Sequence, residues 1–219
     1  MGAPLTSDAP LDAAAAMAAI QDQQATYRSR MEIRSAPIYV AWGLAWLVGY
    51  TVGWLGLGDD YSVSAPHGLG FIGCLVAAGI FTMTYIARRA RGLRGASNRF
   101  GASYSMAWFA AFVLAAVLMS RLGSFLDSVG TAQANEIGMI ASNAIPCLIV
   151  GTMLMVGGAL WDEPLVTGTG GWVLAVTVVA TLVGGSAMWL IMAVAGGGSF
   201  FVAAALSSQA DTRRTAGAA

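Results

Sequence analysis

The sequence predicts an all-α membrane protein: six transmembrane helices preceded by an amphipathic cytoplasmic helix. Three observations carry that expectation. Of 219 residues, 57% are hydrophobic and only 10% are charged, where a soluble globular domain carries about a quarter. The apolar residues gather in runs close to the roughly 20 that a helix needs to cross a hydrocarbon core. The cationic residues, eleven in all and every one arginine, collect between or outside those runs. Five of them lie in the stretch 88–99: Arg88, Arg89, Arg91, Arg94 and Arg99. Clustered arginine is costly to translocate, so a loop of this kind stays cytoplasmic.

Residues 1–36 read as a cytoplasmic tail and helix, 37–207 as the transmembrane domain, and 208–219 as a second cytoplasmic tail. A helix is expected from about Leu11 to Arg34, with Ser7 or Asp8 and Pro10 as start signals. Met17, Ile20, Tyr27 and Met31 form its apolar stripe with Ala13, interrupted by Gln24, and Asp22, Gln23, Arg28, Arg30 and Glu32 lie opposite. Such a stripe suits an interfacial or partner-binding helix, and equally one resting on the ends of its own bundle.

The first span runs from about Ile38 to Leu57, with Pro37 at its start, where a missing amide proton costs nothing. Trp42, Trp46, Tyr50 and Trp54 recur every fourth residue. Their simplest role is interfacial anchoring and packing; lining a cavity for an apolar cation or ring is the alternative. Gly49, Gly53 and Gly56 form a neighbouring small-residue face that lets another helix approach. A polar segment, Gly58 to His67, leads to the second span, about Gly68 to Ala87. After the arginine loop, Ser103 to Arg121 forms the third span, with Tyr104 and Trp108 near its cytoplasmic end. Residues 122–129 read as a short interfacial helix on the far side.

Span four, about Gly138 to Leu160, holds the one polar cluster inside the membrane: Ser142, Asn143 and then Pro146. Proline leaves the Ser142 carbonyl without its helical donor. This suits a solute contact at an interrupted helix, or a local bend with Asn143 bonded to a neighbour. Residues 166–207 are too long for a single span, since a helix over 171–207 alone would measure roughly 55 Å. Two spans turning near Gly184-Gly185 fit better: about Thr169 to Val183, a short segment open to a tilted or re-entrant reading, and Ser186 to Ser207. Six spans also place ten of the eleven arginines on one side, with both termini in the cytoplasm and the chain in the inner (plasma) membrane.

Composition excludes much. No ionisable residue falls in the middle of a drawn span, which disfavours proton relays, ion-coupled carriers and voltage sensors. Without lysine there is no Schiff-base chromophore. His67 alone is a poor metal candidate, and Cys74 and Cys147 read as small core residues, so no metal is expected. Gly168-x-Gly170-Gly171 and Gly196-Gly197-Gly198 match no phosphate fingerprint and suit close helix packing. No nucleophile and base pair is apparent, so neither an enzyme nor a cofactor is expected. The opening residues lack the pattern of a secretory signal. Membrane lipids are the expected surroundings, a homo-oligomer or a membrane protein the expected partner, and nucleic acid is not.

Two short motifs carry a resemblance. One is Ala19-Ile20 with Gln23-Gln24, followed by Tyr39-Val40-Ala41-Trp42-Gly43-Leu44-Ala45-Trp46-Leu47-Val48-Gly49; the other is Met192-Ala193 with Ala195 to Gly198. They resemble a group of uncharacterised actinobacterial six-helix integral membrane proteins, often labelled hypothetical or transporter and encoded beside small winged-helix regulators. The resemblance implies a regulated membrane function and assigns no site residues. Two functions therefore stand. One is a small transporter or permease component for an apolar or weakly polar solute, with Trp46, Tyr50, Asn143 and Pro146 as candidate contacts. The other is a non-catalytic accessory or scaffold protein that holds partner subunits through the Gly49 and Gly53 face and the Met17–Met31 stripe, with Gly49, Gly53 and Gly56 as the helix-packing face.

Overall fold

The computed structural model describes residues 35–89 and 97–216, with Met17 alone before them. The expected amphipathic helix over 11–34 and loop residues 90–96 lie outside the described set. Within it the chain is helical, with one isolated antiparallel bridge between Leu57 and Val63 and no strand. The helices are α1 (Ala36–Leu55), α2 (Ala65–Arg89), α3 (Ser97–Val129), α4 (Ala132–Leu160), α5 (Pro164–Val183) and α6. The last is built of Gly185–Ile191, a π-helical turn Met192–Gly196, and Gly197–Ala216. Six helices are long and apolar enough to cross a membrane, the architecture of a multi-pass integral membrane protein.

Local chemistry explains the boundaries. Proline occupies the first turn of α1 and of α5, where its lost N–H has no helical partner in any case. The Thr131 hydroxyl caps α4 by accepting from the Ala134 amide. Gly184 and Gly185 both take positive φ, 65° and 55°, a conformation open to glycine at no steric cost. That pair divides the long apolar stretch into α5 and α6. The fifth span begins at Pro164 rather than Thr169, and its 20 residues match the length a single crossing needs. The short interfacial helix expected over 122–129 is instead the continuation of α3, which extends without a break over 33 residues, roughly 50 Å. Arg121 therefore lies within a long helix, on its exposed side.

α1, α4, α5 and α6 surround the core, in which Val173, Ala180, Met188 and Met192 have no exposed surface. α2 packs outside α1 and α3 outside α4. The arrangement is two three-helix groups, α2–α1–α6 and α5–α4–α3, joined where α5 meets α6. Among the described residues, α2 fully buries only Ala78 and α3 only Ala115 and Leu126; Leu69, Met83, Met106 and Phe109 stand out from the surface. A helix apolar around most of its circumference suits hydrocarbon as its solvent.

Glycines set the closest approaches. A β-carbon on Gly170 would sit 2.6 Å from the Gly151 carbonyl oxygen and 2.7 Å from the Met155 amide, so α4 and α5 meet backbone to backbone. Gly197 plays the same part between α6 and the Leu47 amide of α1.

At the end away from the arginine loop, polar contacts tie the turns to the helices. Asp60 accepts from both the amide and the hydroxyl of Ser62, and the Ser62 hydroxyl, followed by its amide, holds the Asp60 carboxyl below the usual carboxylate range. Asn135 at the start of α4 donates to the Asp60 carbonyl at 3.0 Å. Glu136 accepts from the Gly185 amide at 3.1 Å. These last two bonds link the two helix groups.

Candidate functional site between the two helix groups

Three of the four candidate solute contacts converge. Tyr50 on α1 donates its phenol proton to Asn143 Oδ1 on α4 at 2.6 Å, a bond between residues 93 positions apart in sequence and buried at both ends. Trp46, one turn from Tyr50, meets it edge to face at 5.5 Å between ring centroids. Pro146 sits half-buried on the same helix as Asn143, and α4 continues through it.

The structure adds residues that sequence reasoning missed. Cys147 Sγ lies 3.6 Å from the Tyr50 hydroxyl and 3.7 Å from Asn143 Oδ1. Met139, Asn143 and Cys147 follow at four-residue steps along one buried face of α4, a spacing visible in the sequence beforehand. Trp189 on α6 lies edge to face against Tyr50 at 5.7 Å and Phe71 at 5.6 Å, and its indole N–H donates to Met139 Sδ at 3.1 Å. Phe71 of α2 closes the ring group against Tyr50 at 5.0 Å. Phe200 joins it through Trp46 at 5.2 Å. No local pattern foretells that α1, α2 and α6 bring their rings together.

Asn143 is 7% exposed, and its amide nitrogen has no hydrogen-bond partner in the protein. A buried donor without an acceptor costs about 1–3 kcal/mol, and lipid supplies no water to relieve it. Every other group at the site is neutral: phenol, thiol, indole, thioether and ring edges. Among the described residues, no three His, Cys, Asp or Glu side chains gather in a way that would hold a metal ion. The arrangement offers a hydrogen-bond donor in an aromatic surround, suited to holding an uncharged molecule in place.

The packing face is placed differently from its expected use by a partner. A β-carbon on Gly49 would meet Phe71 Cδ2 at 3.1 Å and Cys74 Cβ at 3.4 Å, one on Gly53 would overlap the Trp189 indole, and one on Gly56 would overlap His67. All three glycines serve contacts within the chain. His67 itself opens α2, with Nδ1 2.7 Å from the Ser64 hydroxyl oxygen. Trp42 donates to the Thr82 hydroxyl at 3.0 Å, joining α1 to α2.

No family model matches the chain, nor does any curated protein or solved structure.

Proposed function

We propose that this multi-pass membrane protein is a small transporter or permease component for an apolar or weakly polar solute. The observation that carries the reading is the Tyr50–Asn143 bond, a polar contact between two helix groups with a spare amide donor beside it and a proline one turn away. The helix is not interrupted at Pro146 as the interrupted-helix expectation had it, so the reading rests on the buried polar pair, of the kind found where solutes are handled deep in a membrane. For the accessory alternative, Gly49 and Gly53 meet Phe71 and Trp189 of the chain itself, and the Met17–Met31 stripe, Met17 apart, lies outside the described residues. Kinship with the regulated actinobacterial membrane proteins belongs to the same proposal.

Cys147 tests it directly, because a solute pathway must open this seam to water. In a Cys74→Ser background the remaining thiol is Cys147. Proteoliposomes of that variant are expected to react with a small charged thiosulfonate within minutes. A permanently closed scaffold keeps the thiol unreacted for hours, and that result would remove the transport reading.

The proposal includes an orientation, with both termini and the arginine loop in the cytoplasm, supported by Arg88, Arg89 and Arg213 at helix ends on one side. A periplasm-active reporter fused after Ala216 is expected to be silent, and the same reporter inserted after Ser62 active. The reverse pattern would invert the topology.

A further inference from the structure

Two features meet at Asn143. The first is its amide: Oδ1 takes the Tyr50 proton, while Nδ2 has no acceptor in the chain. The second is the placement of α2 against α1 and of α3 against α4, on the outside of the fold. Phe71 and Leu75 on α2 and Val150 on α4 are packed against the core and only half-buried.

We infer that Asn143 is the hydrogen-bonding point of a lateral binding site for an uncharged, membrane-dissolved molecule with a carbonyl acceptor, reached from the bilayer between α2 and α3. The inference deepens the transport reading and rests on it. An unpartnered N–H selects an acceptor, and a carbonyl supplies one without carrying a charge into a site that has no counter-ion. The rings of Tyr50, Phe71 and Trp189, packed edge to face with centroids 5.0 to 5.7 Å apart, form an apolar wall for the rest of the molecule. Turning the half-buried Phe71 ring aside opens the way in. An ester lipid and a quinone-type ring share this chemistry.

The test uses the full chain in nanodiscs of ether-linked phosphatidylcholine, which contain no ester carbonyls to compete. Two probes, dioctanoylglycerol for the ester and a decyl-benzoquinone for the ring ketone, are titrated and read by native mass spectrometry and tryptophan emission. At least one is expected to bind saturably at one per chain, and which one identifies the source of the carbonyl. Asn143→Leu is expected to weaken that binding roughly tenfold, the scale of one hydrogen bond in an apolar site. Asn143→Ser, smaller and still polar, gives a second removal of the amide should the leucine variant misfold. Gly171→Leu, away from the site and with nothing within 4 Å of the added β-carbon, is the control and is expected to bind within about threefold of the parent chain. Failure of both probes to saturate, or equal binding by both Asn143 variants, overturns the inference. Should Cys147 react while neither probe binds, the pathway stands and this ligand class falls. Binding to a chain whose Cys147 never reacts would keep the site and remove transport.

Discussion

Gly170→Leu is expected to separate α4 from α5 and to cost the protein about 3 kcal/mol or more. The substituted β-carbon has no room to yield, because the atoms it meets are the Gly151 carbonyl oxygen at 2.6 Å and the Met155 amide at 2.7 Å. Backbone cannot rotate away as a side chain can, so the two helices must move apart along their contact. That contact is among the most extensive in the fold. In hydrocarbon it rests on close van der Waals packing, with no hydrophobic drive to replace it. The matched control is Gly171→Leu, one residue on, where nothing lies within 4 Å of the added carbon. Its expected effect is within about 0.5 kcal/mol. Unfolding in increasing dodecyl sulfate, followed by far-ultraviolet dichroism, compares the two. Equal midpoints would show that the Gly151–Gly170 approach does not hold the hairpin.

Trp189→Ala is expected to cost about 4 kcal/mol, because this indole fills the space among α1, α2, α4 and α6. It covers Gly53, leans on Tyr50 and Phe71, and donates to Met139. The Gly53→Leu substitution fails for the complementary reason, driving a side chain into the same ring. Combined, the two changes should offset each other in part, with the leucine occupying some of the volume left by the tryptophan. A coupling of roughly 1–2 kcal/mol is expected from a double-mutant cycle measured in the same detergent titration. Simple additivity would mean that Gly53 and Trp189 do not share one space.

The helices were largely legible because the membrane makes them so: apolar length, clustered arginine and the Gly184-Gly185 break are all local signals. The differences fall at element boundaries. Apolar residues at 122, 125, 126 and 129 read as a turn or two of separate interfacial helix, but no proline interrupts Leu122–Val129 and α3 runs on. The fifth span reads as starting at about Thr169, although Pro164 is the residue that starts it. At the site, Asn143 and Tyr50 stood out singly, as a polar residue and an aromatic inside apolar runs. Their bond did not, since it spans 93 positions and depends on how two helix groups dock. Gly49 and Gly53 were recognisable as a surface for close approach. Sequence could not say whether the approaching group comes from another chain or, as here, from Phe71 and Trp189.

The π-helical turn of α6 bears on how that helix keeps faith with its neighbours. Met188, Met192, Gly196 and Phe200 are all buried and follow at steps of four. On an ideal α-helix, four residues overshoot one revolution by about 40°, so three such steps would swing the stripe by roughly 120°. The looser winding at Met192–Gly196 takes up the surplus and keeps one seam turned inward from Met188 to Phe200. The Ala195 carbonyl within this turn accepts from the Trp172 indole at 3.0 Å. α6 thus carries a built-in change of phase, clasped from outside by α5, between the half that meets Trp189's ring group and the half that ends beside the arginines.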